Sequence, residues 1–172
     1  MISAFRYGLK FTLGAILVFM ICYQLNRLRT LADIRSQDLS IGGLRPGLSL
    51  QEMQAIRGPC KPVSGPGLER IEPFVIYDFP EDDCRVYLRE GHISHILGYT
   101  LDVKGTRRLK EGGSAKVLKR LRAEVRIERL HKHEIRYWYP SLGLIVEVDG
   151  YSRIKAFELG FPEPVGSPPK SD

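Results

Sequence analysis

The stretch Cys84-Arg-Val-Tyr-Leu-Arg-Glu-Gly-His-Ile-Ser-His-Ile96, CRVYLREGHISHI, decides how the chain is read. Its first half alternates. Cys84, Val86 and Leu88 fall on one side, and Arg85, Tyr87 and Arg89 on the other, which is the period of a half-buried strand. Glu90-Gly91 supplies an x-Gly hairpin turn, and Ile93 and Ile96 resume the apolar positions of a return strand. A rival reading comes from His92 and His95, three apart, with Glu81, Asp82 and Asp83 just upstream. Those residue types could bind a metal or move a proton.

A second copy of the stretch argues for scaffold. Leu144-Ile-Val-Glu-Val-Asp-Gly150 repeats Cys84 to Gly91 with one residue of slack, and Ile154 and Phe157 repeat Ile93 and Ile96. Upstream, Val75-Ile-Tyr-Asp-Phe-Pro80 matches Ile135-Arg-Tyr-Trp-Tyr-Pro140. Further upstream, Gly47 to Pro59 has Ser49 and Glu52 at capping-box spacing and Leu50, Met53 and Ile56 as one helical stripe, ended by Gly58-Pro59. Gly113 to Ala123 matches it, Ser114 with Ser49, Leu118 with Met53 and Leu121 with Ile56. The chain is therefore expected to hold two copies of helix, strand, strand, turn, strand. The histidines do not recur; Ser152 stands where His92 does.

The unit G-x-S-x-x-x-M-x-x-I-x-G-P … Y-x-F … V-x-L-x-x-G-x-I resembles the repeat of small outer-membrane assembly lipoproteins of the SmpA/OmlA type. Its tandem arrangement is similar to the β-lactamase-inhibitor-protein-like fold. The resemblance covers Ile41 to about Leu159. It implies an α+β fold, with helices packed on one side of a curved antiparallel sheet and the other side open for binding. It also implies a binding or assembly module, not an enzyme. A lipobox is lacking, since Ile21, not a small residue, precedes Cys22.

The N-terminus reads as a membrane anchor. Phe11 to Tyr23 is an uncharged apolar run of 13 residues. Extended over 7–25 it is interrupted only by Lys10 and Gln24 and would rise about 28 Å, near the thickness of a bilayer core. No small-residue cleavage site follows. The expected layout is an anchor helix with a juxtamembrane extension over 1–35, a linker over 36–43, a tandem-repeat domain over 44–159 (units 44–103 and 104–159), and a disordered Pro-rich tail over 160–172. The expected location is the plasma (inner) membrane, single-pass, with the C-terminal domain on the outer or periplasmic side, the amino terminus staying inside.

Charge is uneven. Of a net +6, the segment from Lys104 to Arg136 holds 12 basic and 4 acidic residues. Lys116, Lys119, Arg120 and Arg122 form its basic patch, which suits an anionic lipid surface. Nucleic acid is disfavoured because no aromatic stacking ladder accompanies the cations. Cys60 and Cys84 sit near one seam, and a bridge between them is expected in an oxidising compartment. It would close a loop of about 25 residues and add roughly 3–4 kcal/mol.

Strand alternation places Arg85, Tyr87, Arg89, Arg136 and Trp138 on the sheet face away from the helices. Tyrosine, tryptophan and arginine are the types enriched at interaction hot spots, so these five are the candidate partner-binding residues. No metal, cofactor or catalytic residue is assigned. His131 and His133 lack a third ligand, and no nucleophile-elbow, zincin or P-loop motif occurs. The expected function is a membrane-anchored interaction or assembly scaffold of the cell envelope, binding a membrane or envelope protein through its open sheet face. The alternative is a structural accessory subunit of a larger membrane complex.

Overall fold

The computed structural model describes residues 34–63, 73–104, 107–131 and 133–161, with Ile16, Val18, Met20 and Ile21 as isolated positions. Its strands are β1 (Leu39–Ser40), β2 (Val75–Phe79), β3 (Cys84–Arg89), β4 (His92–Gly98), β5 (Thr100–Val103), β6 (Arg107–Lys110), β7 (Arg126–His131), β8 (Glu134–Tyr139), β9 (Leu144–Val148) and β10 (Ile154–Leu159). The α-helix α1 (Leu50–Arg57) lies between β1 and β2. All pairings are antiparallel, in a seven-stranded sheet of order β2-β3-β4-β10-β9-β8-β7 and a three-stranded sheet of order β1-β5-β6.

The duplicated unit is visible in matched hydrogen bonds. In the first half, Leu50 N–H donates to Gly91 O and Ile93 N–H to Leu48 O; in the second, Ala115 N–H donates to Ser152 O and Ile154 N–H to Gly113 O. Single bridges join Ser49 to His92 and Ser114 to Arg153. The counterpart of His92 is therefore Arg153, not Ser152, because the second turn carries the extra residue. In each half the second strand follows a 3-10 turn, Pro80–Asp82 or Pro140–Leu142, whose end at Asp83 or Gly143 is left-handed, with φ of 48° and 60°. The halves meet where β4 pairs β10. Phe157 faces Gly98, Leu159 faces Ile96, and Glu158 faces Leu97. Equivalent residues thus pair reciprocally about a pseudo-two-fold axis at Leu97 and Glu158.

One side of the large sheet carries the core. Cys84, Val86, Leu88, Ile93, Ile96, Leu144, Val146, Val148, Ile154, Phe157 and Leu159 pack against Met53 of α1, Leu118, and Leu39, Leu101, Val103 and Leu109 of the small sheet. Burial of this apolar surface is the main force holding the layers together. At the α1 seam, the Arg57 guanidinium forks between the Asp82 carboxylate and the Gly42 carbonyl and lies over the Phe79 ring.

Several expectations are corrected. The fold is mostly β, with strand at 46%, rather than α+β with paired helices. The second helix is a 3-10 segment, Ala115–Arg120. Val117 stands where Glu52 closes the first capping box, so the reciprocal cap is lost. Lys116 also meets Lys119 and Arg120 at helical i, i+3 and i, i+4 spacing, where like charges repel. Even α1 buries only Met53, and Ile56 is 50% exposed. The 36–43 stretch expected as a linker holds β1 and the buried Leu39 and Ile41.

The transmembrane signal-anchor is corrected as well. Among the described residues no helix is long and apolar enough to cross a membrane. Apart from four positions, the 7–25 segment lies outside the described residues, as does the tail beyond Phe161. The expected disulfide is not formed: Cys60 and Cys84 are both free thiols. Cys84 points into the core opposite Phe79 and against Gly98, whereas Cys60 lies by Gln54 and Tyr77, one strand repeat away.

Candidate functional site on the open face of the sheet

Two β-bulges decide which side chains reach the open face. Leu88 faces Ile93 and Tyr87 faces His95, so Ser94 is an extra residue in β4. Ile154 faces Val148 and Ala156 faces Glu147, so Lys155 is the equivalent extra residue in β10. A bulge adds one residue and re-aims those beyond it. It keeps both Ile93 and Ile96 in the core and sets both His92 and His95 on the open face. Simple alternation would have split the two histidines.

One row of facing residues crosses the whole sheet: Asp78, Arg85, Leu97, Glu158, Ile145, Trp138 and Arg126. The five candidate binding residues all lie on this face, in two groups. Arg85, Tyr87 and Arg89 belong to β3, Arg136 and Trp138 to β8. Four inter-strand steps separate β3 from β8, about 19 Å.

At the β3 end, Arg85 Nε and Nη2 donate to the two Asp78 oxygens, the second at 2.9 Å. This fork holds the guanidinium firmly charged, its pKa raised by the Asp78 hydrogen bonds. Tyr87 stacks on His95, and Phe74 meets both rings edge-on. Beneath them Ile76, opposite Tyr87, is only 4% exposed although it faces away from the main core. Burial in this apolar cluster pushes the His95 pKa down. Arg89 is exposed, 3.8 Å from Glu90.

At the β8 end, Arg136 donates to Glu147 at 2.9 Å and to Glu128 at 3.4 Å, and the Glu147 bond raises its pKa. The Arg126 guanidinium lies 4.8 Å from the Trp138 ring centroid. Such cation–π contacts hold a ring flat without burying it. Lys155 donates to Glu134. Between the two ends, Glu158 has its pKa raised by burial, with Arg136 opposing and Glu147 adding to the shift.

A groove of about 360 Å³ opens towards the β2 side of the sheet, lined by Asp78, Arg85, Leu97, Tyr99 and Ala156 among others. Tyr99 is 47% exposed. Sequence reading did not single out Leu97, Tyr99, Ile145 or Glu158, and it weighed His95 only as a possible metal or acid–base residue. The available signal was the three-residue spacing of Ile93–Ile96 and Ile154–Phe157, which breaks strict alternation and marks a bulge.

The basic patch lies elsewhere. Lys116, Lys119, Arg120 and Arg122 are exposed on or just beyond the 3-10 segment that covers the core side. Lys116 and Arg120 join Arg108 and Lys110 around a groove of about 610 Å³, which Lys119 and Arg122 do not line. Among the described residues no three histidine, cysteine or acidic side chains converge as a metal set would. Burial pushes the Cys84 thiol up to about 11, leaving it protonated at neutral pH and a poor nucleophile.

No protein-family model, no curated protein and no solved structure matches the chain.

Proposed function

We propose that this chain is a protein-interaction module whose open sheet face receives another protein. The supporting observation is the composition of the row from Asp78 to Arg126. Leu97 and Ile145 flank the half-buried Glu158 at its middle, ion-paired arginines and Trp138 stand towards its ends, and Tyr87 lies beside it on the same face. The arginines are held by neighbouring carboxylates, so little side-chain freedom remains to be lost on binding. Aromatic and arginine anchors beside apolar residues are the residue classes that dominate interface energetics. The resemblance of the repeat to assembly modules agrees with this reading, as an analogy of fold.

The partner this face suits presents an apolar segment to Leu97, Tyr99 and Ala156, with carboxylates reaching the arginines at either end. Photo-crosslinkers placed at Tyr99 and Ile145 in intact cells test the idea, with Lys119 on the opposite side as control. A shared protein captured from the two open-face positions, and lost with Trp138→Ala combined with Tyr87→Ala, supports the reading. Equal capture from Lys119, or capture unaffected by the double substitution in a folded protein, overturns it.

A further inference from the structure

The groove of about 610 Å³ collects cations from two elements. Arg108 and Lys110 stand on β6, with Leu109 between them turned into the core. Lys116 and Arg120 come from the 3-10 segment Ala115–Arg120. The turn joining these elements is tied down by backbone bonds. Gly112 N–H donates to Ile154 O, Gly113 N–H to Lys110 O and Ala115 N–H to Ser152 O. A Cβ on Gly113 would lie 2.9 Å from the Lys110 carbonyl oxygen, so the chain is closely packed there. The two sets of cations are therefore fixed to one scaffold.

Their charge is not balanced. Glu111 is the acid among the lining residues, and Asp102 meets Arg108 at 2.7 Å. Lys110, Lys116 and Arg120 enter no ion pair among the described residues. Like charges gathered in this way repel one another, and their summed potential draws an anion into the groove.

We propose that this groove binds a phosphorylated small molecule by its phosphate group. The donor arrangement favours a tetrahedral group. A carboxylate is planar, and one guanidinium fork saturates it. A phosphate presents oxygens in more than one plane, which donors from two elements can share. Arg120 offers a fork from the 3-10 segment. Arg108 engages Asp102 through Nε, and its terminal nitrogens remain as donors. Lys110 and Lys116 add point charges. The volume falls within the roughly 300–1,000 Å³ of small-ligand sites, so room remains for the organic part of the molecule. A soluble phosphate ester and a lipid phosphate headgroup share this chemistry. The site is separate from the open face of the large sheet and does not depend on a protein docking there.

Calorimetric titration of the full chain with inorganic pyrophosphate, in about 0.15 M salt, should show saturable binding. Lys116→Gln combined with Arg120→Gln should weaken it at least about tenfold. Lys119→Gln combined with Arg122→Gln removes two charges from the same stretch outside the groove and should change it less than about twofold. Circular dichroism identifies a variant that fails to fold. Lys110→Gln, on β6, then decides, since it too should weaken binding. Vesicles of phosphatidylcholine with phosphatidic acid separate the two sources. Pelleting of the protein that pyrophosphate reverses assigns a lipid headgroup; pyrophosphate binding without pelleting assigns a soluble ester. Absence of pyrophosphate binding overturns the proposal. So do equal losses from the two double substitutions, undiminished binding by folded Lys110→Gln, or citrate bound as tightly as pyrophosphate.

Discussion

The rings of Tyr87 and His95 lie stacked on the open face, centroids 4.2 Å apart and planes 14° from parallel. Phe74 closes the cluster edge-on, 5.3 Å from the His95 ring. Burial there holds the imidazole's pKa below its ordinary 6.5. In the unfolded chain His95 takes a proton near that value; in the folded chain it does so only at lower pH. Well above that value the residue is neutral in both states and adds no pH dependence. As pH falls from there through the folded pKa, the unfolded chain binds the proton first and stability drops. Urea midpoints measured between about pH 7.5 and about pH 5 should fall less steeply in His95→Phe than in the parent. Parallel curves would remove His95 from the account.

Gly98 is fixed by packing rather than by a turn. A Cβ added there would lie 2.5 Å from Ile41 Cγ2 and 3.3 Å from Cys84 Cβ. Gly98→Ala should cost about 1–3 kcal/mol through overpacking, read from chemical denaturation. Adding Ile41→Ala, which removes the clashing methyl, should cost less in the Gly98→Ala background than in the parent. An additive double variant would refute the contact as the cause.

The two serines at matched positions should differ in worth. Ser49 Oγ accepts from Glu52 N–H, and the Glu52 carboxylate accepts from Ser49 N–H at 2.8 Å. Ser114 Oγ accepts only from Lys116 N–H, at 3.3 Å, with no return bond. Ser49→Ala should therefore cost about 1 kcal/mol, and Ser114→Ala only about half of that or less. Equal losses in thermal melts would show that the reciprocal box adds nothing.

The free thiols give a chemical check. Both are shifted upward by burial, Cys84 to about 11. Cys84 is buried and Cys60 half-buried. Alkylation of the native protein followed by peptide mass mapping should modify Cys60 well before Cys84. Denaturation should make both reactive without any reductant. A need for reductant would establish a disulfide instead.

The duplicated hairpins were legible because apolar alternation, the prolines at 80 and 140 and the x-Gly turns are local signals. The faces of Arg85, Tyr87, Arg89, Arg136 and Trp138 followed from the same alternation. The second helix was misread because Leu118 and Leu121 copy the apolar spacing of Met53 and Ile56, while the helix itself depends on Glu52, which has no counterpart. The disulfide was misread because a shared seam does not fix which strand row a thiol occupies. The small sheet was invisible, since β1 has two residues and pairs with β5 more than sixty positions away. Long-range pairing of that kind leaves no periodic trace. The open-face row was equally hidden, because it forms only when β4 meets β10.

The reciprocal pairing of Phe157 with Gly98 and Leu159 with Ile96 gives the molecule an internal control. Positions in β2, β3 and β4 have twins in β8, β9 and β10 of the same chain, under the same solvent and the same overall stability. Where twins are alike, as at Val86 and Val146, the residue serves the architecture that both halves must satisfy. Where they diverge, as His92 does from Arg153, Arg85 from Ile145 and Asp78 from Trp138, the architecture has tolerated both choices. Those divergent pairs are where selection for a particular task was free to act.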